Sequence, residues 1–164
     1  MSEPSYAELR ARKVLSEYGD SIFRLAFTFV HNAQDAQEVV QDTLIQMLRY
    51  DPSFDTEKQE KGWLLKTAAN LSRNKLKFNK VRETDELDER LKAEEKPDLA
   101  FVWDAVKTLP RDYQSAIYLF YKEGYSTKEI AEILKKRESS VRSDLARARK
   151  QLKLILKEDY DFEE

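Results

Sequence analysis

A short polar run opens the basic segment near the end of the chain, and its side chains are the ones best suited to chemistry. The run supplies a carboxylate, three hydroxyls and a guanidinium from Glu138, Ser139, Ser140, Arg142 and Ser143. Such groups donate and accept the hydrogen bonds that distinguish base edges and hold phosphates. Their types and spacing therefore predict binding of nucleic acid and not covalent catalysis.

Two helices are needed to position this run. Ser126 followed by Glu129 is a capping box, in which hydroxyl and carboxylate satisfy free backbone N–H groups at a helix start. Apolar residues recur at helical spacing on both sides of an interruption from Lys135 to Arg137: Ile130, Ala131, Leu134, Val141, Leu145, Ala148 and Leu152. Two helices around a tight turn, the second of them basic, predict a helix-turn-helix whose second helix enters the DNA major groove by its N-terminal end.

Positive charge is concentrated in this second helix. Nine Lys/Arg residues and two acidic residues lie between Lys135 and Lys157, a local net charge of +7 in a chain whose formal net charge is −2. Cations gathered in this way favour contact with phosphates, so DNA is the expected partner. The alternative is a helical hairpin whose cations only solvate its outer face.

Composition restricts the fold and excludes several functions. The 164 residues include three glycines and no alternating apolar run, so an all-α fold is predicted. Without cysteine there is no disulfide, thiolate nucleophile or cysteine zinc site, and the single histidine, His31, has no second ligand in view. No glycine-rich phosphate loop is present, and neither enzymatic activity nor a metal or cofactor is expected. The lack of a signal peptide or long apolar run predicts a cytoplasmic protein with no membrane insertion of its own.

The charge pattern also divides the chain. A basic run at 73–82 has five cations and no acid, whereas 83–98 has eight acids and three cations. The acidic stretch carries few apolar residues, which is typical of a solvated linker. We expect a first helical domain, an acidic linker, a second helical domain and an acidic tail, at 1–82, 83–97, 98–157 and 158–164.

Apolar spacing predicts four helices in each domain. Those of the first domain are expected at 6–18, 20–30, 35–50 and 62–81. Those of the second are expected at 99–108, 110–122, 126–134 and 138–156. Asp35, with Glu38 three residues later, is the expected cap of the third helix.

The sequence of three segments is more specific than helical periodicity alone requires. They read DAQEVVQDTLIQMLRY at 35–50, GWLLKTAANLSRNKLKFNKVR at 62–82 and LPRDYQSAIYLFYKEGYSTKEIAEILKKRESSVRSDLARARKQL at 109–152. In order and spacing they resemble the small sigma factors of bacterial RNA polymerase, the extracytoplasmic-function group. The resemblance covers nearly the whole chain. It implies a helix that grips the polymerase clamp, a helix for the minus-ten promoter element and a helix-turn-helix for the minus-thirty-five element.

The implied function is that of a sigma factor that binds core RNA polymerase, recognises both promoter elements and promotes transcription initiation without a cofactor. The implied partners are promoter DNA, an anti-sigma factor and core RNA polymerase, through the clamp of its β′ subunit and the flap of its β subunit. One alternative is a helix-turn-helix transcription regulator that is not a sigma subunit. Another is a helical adaptor or anti-sigma partner that binds no DNA. The basic run at 73–82 argues against both, since neither needs a second nucleic-acid surface.

The resemblance assigns residues to each role. Those for polymerase binding form the outer face of the 35–50 helix, opposite an inward stripe of Val39, Val40, Leu44 and Met47: Asp35, Glu38, Gln41, Asp42 and Gln46. Those for the minus-ten element are Phe54, Trp63, Asn70, Arg73, Asn74, Lys77, Phe78 and Arg82. Those for the minus-thirty-five element are Ser126, Thr127, Ser139, Ser140, Arg142, Ser143, Arg147, Arg149 and Lys150. An ordinary solvated face for the first set, and a core position for Trp63, are the alternatives.

Some positions depart from the family pattern. Asn74 stands where an aspartate is frequent, Asp144 stands where an arginine is usual, and the turn lacks the family's glycine and proline. Asp144 has two interpretations. It accepts a hydrogen bond from a cytosine amino group, or it is neutralised by a cation such as Lys135 or Arg147 and only lowers the affinity for DNA.

Overall fold

The computed structural model describes residues 3–78 and 104–160, with side chains described as far as 155. Every regular element in these ranges is helical, which confirms the all-α prediction. The chain divides into two compact units, Met1–Glu86 and Leu87–Glu164. The predicted linker at 83–97, like Arg82, lies outside the described residues.

Three helices build the described part of the first unit, residues 3–78. They are α1 at Tyr6–Val30, α2 at Ala33–Tyr50 and α3 at Glu57–Phe78. Each packs against the other two. The largest side chains enclosed between them are Ile22, Phe23, Leu25, Met47, Leu64 and Leu65.

Helix α1 is continuous, and the prediction of separate helices at 6–18 and 20–30 was wrong. Gly19 is buried inside it, although glycine in a helix interior costs about 0.5–1 kcal/mol. A Cβ there would lie 3.2 Å from Leu15 Cδ1. Val14, Tyr18 and Ile22 continue one buried face through this point, because they recur at intervals of four. The packing of that face holds the helix together across the glycine.

Helix α2 begins two residues before its predicted start, and its cap is Asn32 instead of Asp35. Asn32 Oδ1 accepts a hydrogen bond from the Asp35 backbone N–H at 2.8 Å, and Asn32 Nδ2 donates to Asp35 Oδ2, also at 2.8 Å. Asp35 is only 3% exposed. The placement of Asp35 on the outer face was therefore wrong, because its carboxylate turns inward to complete the cap.

Helix α3 begins five residues before its predicted start. Thr56 Oγ1 accepts from the Gln59 N–H at 3.1 Å, and Gln59 Oε1 accepts from the Asp55 N–H at 3.0 Å. This Thr-x-x-Gln spacing is a capping signature that the sequence analysis missed. The inward face of α3 is formed by five buried residues, Leu64, Leu65, Ala68, Ala69 and Ser72.

The second unit is described from a single helical turn at 104–106 onwards. Helix α4, Arg111–Ile117, continues into a π-helical turn, Tyr118–Lys122. The helix predicted at 110–122 is thus present, but its hydrogen-bond pattern widens at Tyr118. The helix predicted at 99–108 is helical only at 104–106 in its described part, since Thr108 and Leu109 close a turn.

Helix α5 spans Thr127–Leu134, and α6 spans Glu138–Tyr160, beyond the predicted end at 156. Gly124, with φ +76°, turns the chain ahead of α5. Glycine adopts such a φ without steric cost. The core between these helices encloses Leu119, Ile130, Leu134, Val141, Leu145 and Ala148.

Candidate nucleic-acid and protein interfaces

The outer face of α2 is partly acidic and partly apolar. Gln41 and Asp42 are exposed, and Glu38 and Gln46 are half-buried. Ile45 is 52% exposed beside them. This apolar contribution was not predicted, although a large aliphatic residue opposite the inward stripe is a signal of a protein-binding face.

An ion pair connects this face to α3. Lys75 Nζ contacts Glu38 Oε2, and the lysine side chain is 19% exposed. Lys75 was not among the predicted site residues. Because Glu38 is held by a neighbouring helix, its carboxylate has a defined position on the α2 surface.

One face of α3 presents amides and a cation. Asn70, Asn74 and Lys77 are exposed and recur at intervals of four and three, so they lie in one row. Phe78, 88% exposed, ends the described helix beside them. Arg73 lies elsewhere, because its guanidinium sits 5.5 Å above the Phe29 ring. A cation over a ring face is attracted to it, so Arg73 also braces α3 against α1.

The loop between α2 and α3 contains the next predicted residue, Phe54. Its ring lies 6.1 Å from the Trp63 ring, at an interplanar angle of 56°. Both side chains are half-buried. Trp63 is therefore not an enclosed core residue, and it supports the loop through Phe54.

A groove of about 610 Å³ lies between this loop and the first turns of α1. Tyr6, Leu9 and Lys13 line its α1 side, and Phe54 and Thr56 line its loop side. This contribution of α1 was not predicted. The two walls are far apart in the sequence, so no local pattern joins them.

The predicted capping box at the start of α5 is confirmed. Ser126 Oγ accepts from the Glu129 N–H at 3.2 Å, and Glu129 Oε1 accepts from the Ser126 N–H at 2.9 Å. Helix α5 then ends at Lys135, whose φ of 54° lies in the left-handed region. The three-residue turn Lys135 to Arg137 leads directly into α6.

Helix α6 buries the expected stripe of Val141, Leu145 and Ala148. The predicted minus-thirty-five residues on this helix are all exposed: Ser139, Ser140, Arg142, Ser143, Arg147, Arg149 and Lys150. Four of them share the face opposite the stripe because they recur at intervals of four, four and three: Ser139, Ser143, Arg147 and Lys150. This face combines hydroxyls with cations.

A carboxylate at the start of α6 links both helices of the pair. Glu138 Oε1 accepts from Thr127 Oγ1 and from Arg142 Nη1, each at 2.9 Å. Thr127, predicted to contact DNA, therefore serves the packing of α5 on α6. Arg142 is oriented by the same carboxylate.

Asp144 is paired inside the unit. Lys136 Nζ lies 3.1 Å from Asp144 Oδ2 and 3.1 Å from Asp112 Oδ1. The Asp144 side chain is 13% exposed. Asp144 is thus neutralised by a nearby cation, which is Lys136 and not Lys135 or Arg147, the two examples named from the sequence. Since Lys136 bridges α4 and α6, it braces the second helix of the pair.

Arg149 packs on the π-helical turn. Its Nε donates to the Tyr121 hydroxyl at 2.6 Å, and its guanidinium lies 5.4 Å and 5.5 Å from the Phe120 and Tyr121 ring centroids. Tyr121 and Phe120 were not predicted as partners. They hold Arg149 at the edge of the buried stripe, away from the row that ends at Lys150.

Within residues 3–78 and 104–160, no helix has the length and apolarity needed to cross a membrane. In the same ranges, no group of three or more His, Asp or Glu residues could hold a metal ion.

Comparison with known proteins matches both units. Residues 14–81 match the family model Sigma-70 region 2, and residues 102–152 match Sigma-70, region 4. The RNA polymerase sigma-H factor of Pseudomonas aeruginosa is 31% identical over 152 residues, covering 81% of this chain and 79% of that protein. The RNA polymerase sigma factor SigV of Bacillus subtilis is 29% identical over 151 residues, covering 88% and 90%.

The fold is similar to solved structures as well. The sigma factor RpoE, crystallised with the anti-sigma factor NepR from Bartonella quintana, has a TM-score of 0.70 at 22% identity, covering 90% of this chain and 97% of that one. CnrH, in complex with the cytosolic domain of CnrY, has a TM-score of 0.64 at 24% identity, covering 91% and 88%.

Proposed function

The chain belongs to the extracytoplasmic-function sigma factors of the sigma-70 family, which serve transcription initiation, and we propose that it binds core RNA polymerase through α2 and promoter DNA through α3 and α6. The observation that supports this most is the pair of separate hydrogen-bonding, cationic faces, one in each unit. The first is Asn70, Asn74 and Lys77, and the second is the row from Ser139 to Lys150. A transcription regulator with one helix-turn-helix needs only the second of these two faces.

Helix α2 is the proposed contact for the clamp of the β′ subunit. Asp42, Gln41 and Gln46 offer acidic and amide groups around the exposed Ile45. A surface of this kind fits a basic partner that has apolar positions, because charge complementarity orients the encounter and apolar burial stabilises it. The flap of the β subunit is the proposed contact of the second unit.

For the minus-ten element, we assign one set of contacts to the α3 row of Asn70, Asn74 and Lys77, and another to the groove between α1 and the loop that follows α2. Asparagine amides read base edges, and Lys77 holds a phosphate. The groove between α1 and the loop takes a base that has left the stack, with Phe54 available for stacking. Binding energy gained in the groove offsets the unstacking cost of a few kcal/mol, which favours an opened duplex.

For the minus-thirty-five element, α6 enters the major groove of closed duplex DNA. Arg142 is a candidate for bidentate contact with guanine, and Arg147 and Lys150 are candidates for phosphate contacts. No step in this scheme breaks a covalent bond or requires a cofactor. The protein acts in the cytoplasm with the polymerase, and an anti-sigma factor is its proposed regulator.

The test is reconstitution with core enzyme. The chain should co-purify with core polymerase subunits and support run-off transcription from a subset of promoters. Core enzyme without the chain is the control. A transcription regulator would instead bind specific duplex DNA without polymerase, and an adaptor would bind no DNA at any salt concentration. Either of those results would contradict the proposal.

A further inference from the structure

Arg10 joins α1 to the loop that follows α2. Its Nη1 contacts the Asp51 carboxylate, and its Nη2 donates to the Pro52 carbonyl oxygen at 2.5 Å. The Arg10 side chain is 13% exposed, whereas that of Asp51 is 65% exposed. One guanidinium thus binds a side chain and the backbone of adjacent residues. Arginine suits this task because its donors form a rigid planar fork.

The Arg10 contact lies at Asp51 and Pro52, whose backbone conformation sets the direction in which the chain leaves α2. Asp51 ends α2 with φ 45°, a left-handed conformation that costs more for a residue with a Cβ than for glycine, although aspartate adopts it more often than most residues. Pro52 follows with a restricted backbone. A hydrogen-bonded partner at both positions stabilises a conformation that the local sequence does not favour by itself.

The remainder of the loop is held by other contacts. Phe54 packs on Trp63, and the start of α3 is fixed by two hydrogen bonds, from the Gln59 N–H to Thr56 Oγ1 and from the Asp55 N–H to Gln59 Oε1. Arg10 supplies the anchor at the beginning of the loop. With both ends and the middle supported, the groove wall is already formed before any ligand enters. Such preorganisation reduces the ordering cost of binding.

We propose that Arg10 is a positioning residue for base recognition: it holds the loop 51–56 in the shape of the groove and so determines how strictly the groove discriminates between bases. The inference rests on the proposed function of the groove as the site for an unstacked minus-ten base. Arg10 acts through Asp51 and Pro52. Arg10 also lines the groove, together with Lys13 and Phe54, and the Asp51 variant below separates its positioning role from a direct contact with the base.

The test measures base discrimination by reconstituted holoenzyme. Single-stranded minus-ten oligonucleotides that differ at one position are ranked by affinity for holoenzyme carrying each variant. For Arg10→Ala we expect the ratio between the best and worst base to fall about tenfold, the size expected for loss of a charge-assisted contact. Arg12→Ala, an exposed arginine on the same helix, is the matched control and should keep the wild-type ratio.

Further variants separate positioning from folding. Asp51→Ala should reduce the ratio less than Arg10→Ala, because the Pro52 carbonyl contact remains. Arg10→Lys should recover part of the ratio, because its ammonium can reach one of the two acceptors. Affinity for core enzyme and for minus-thirty-five duplex should stay unchanged in all of them. If Arg10→Ala fails to fold, Asp51→Ala and Arg10→Lys still test whether the Arg10 contacts affect base discrimination.

Two outcomes would overturn the inference in distinguishable ways. If Phe54→Ala alters discrimination but Arg10→Ala, Arg10→Lys and Asp51→Ala all match Arg12→Ala, the groove binds the base and Arg10 has no positioning role. If Phe54→Ala and the Arg10 variants all leave the ratio unchanged, the groove is not the base site. The proposed function of the groove then fails together with the inference.

Discussion

Three described helices end on a residue that is not glycine but has a left-handed backbone. His31, Asp51 and Lys135 close α1, α2 and α5 with φ values of 55°, 45° and 54°. A left-handed C-terminal position is common at helix ends, and glycine is its usual occupant because a Cβ is disfavoured there. Asp51 has the Arg10 contact to offset this cost. Lys135 is exposed, so the cost of its left-handed conformation can be measured there by substitution.

Replacing Lys135 by glycine is expected to stabilise the second unit. Lys135→Gly removes the steric cost of the left-handed conformation and increases the entropy of the unfolded chain, so the net gain should be about 0.5–1 kcal/mol. Chemical denaturation followed by circular dichroism measures it. Lys150→Gly, in the interior of α6, is the control and should destabilise by about 1 kcal/mol. A loss of stability in Lys135→Gly would contradict the argument.

Two buried tyrosines make stability sensitive to alkaline pH. Burial, with the nearby charges of Glu123 and Glu129, raises the pKa of Tyr125 to about 12. Burial and then Glu60 raise the pKa of Tyr18 to about 12 as well. Because the unfolded pKa is about 10, the neutral phenols contribute their full stability below pH 10 and lose it as the pH rises from about 10 to about 12.

Tyr125→Phe removes one of these titrations. The variant should lose less unfolding free energy than the wild type between pH 10 and 12, while Tyr18 continues to titrate. Denaturation at a series of pH values gives both curves, and Tyr113→Phe is a control for loss of a hydroxyl at a half-buried site. Parallel curves for Tyr125→Phe and the wild type would show that this phenol does not govern the alkaline limit.

Among the elements, α2 shows how a cap removes a residue from a surface. Asp35 lies in the same sequence row as Glu38 and Asp42, yet its carboxylate is taken up by Asn32. A charge reversal at Asp35 would therefore test folding and not binding. The most exposed acidic residue of this face is Asp42.

Reversing charge at Asp42 is expected to weaken the binding of core polymerase. Asp42→Lys should lower the affinity by about fivefold to tenfold through like-charge repulsion, mainly by slowing association, and should leave thermal stability nearly unchanged. Surface-based binding assays with core enzyme measure this, and Glu132→Lys on α5 is the matched reversal outside α2. An unchanged affinity for Asp42→Lys would remove this part of α2 from the interface.

In the second unit, α6 is braced by a lysine that serves two carboxylates. Asp144→Asn should destabilise the unit by about 1 kcal/mol, because Lys136 loses one of its charged partners, and should leave the preferred minus-thirty-five sequence unchanged. Denaturation and binding to a duplex library give the two results. Asp112→Asn, at the more exposed partner of Lys136, should cost less. A changed base preference in Asp144→Asn would revive the interpretation that this carboxylate reads cytosine.

For the whole molecule, the division into two units predicts that promoter specificity is modular. Asn74→Ala should change the preferred minus-ten sequence and leave minus-thirty-five preference intact. Arg142→Ala should do the reverse, at a cost of about 1–3 kcal/mol for the matched base. Lys77→Ala should depress all promoters about equally, since a phosphate contact carries no sequence information.

Transcription from a library that varies both elements checks this prediction. Each variant is compared with the wild type for overall output and for base preference at every position. Equal losses across the library for Asn74→Ala and Lys77→Ala would show that Asn74 only positions the strand. A change in minus-ten preference caused by Arg142→Ala would contradict modular recognition.

The sequence alone determined the features that depend on near neighbours. The all-α class follows from apolar spacing, and the α5 capping box follows from Ser126 and Glu129, which are three residues apart. The buried stripe of α6 follows from the same periodicity. The family follows from three such segments in order. Within each segment these signals act over about one helical turn, which is the range at which side chains on a helix interact with each other and with its free backbone groups.

Only the tertiary structure decided which polar residues, expected to be exposed from the helical pattern, are bound to partners within the protein. Arg10 reaches Asp51 across 41 positions, and Arg149 reaches Tyr121 across 28. Lys136 reaches both Asp112 and Asp144. Such partners meet because helices pack, and helix packing is directed by apolar faces that do not specify which charged side chains will face each other. The spacing of polar residues therefore predicted the faces of α3 and α6, but not the contacts that orient them.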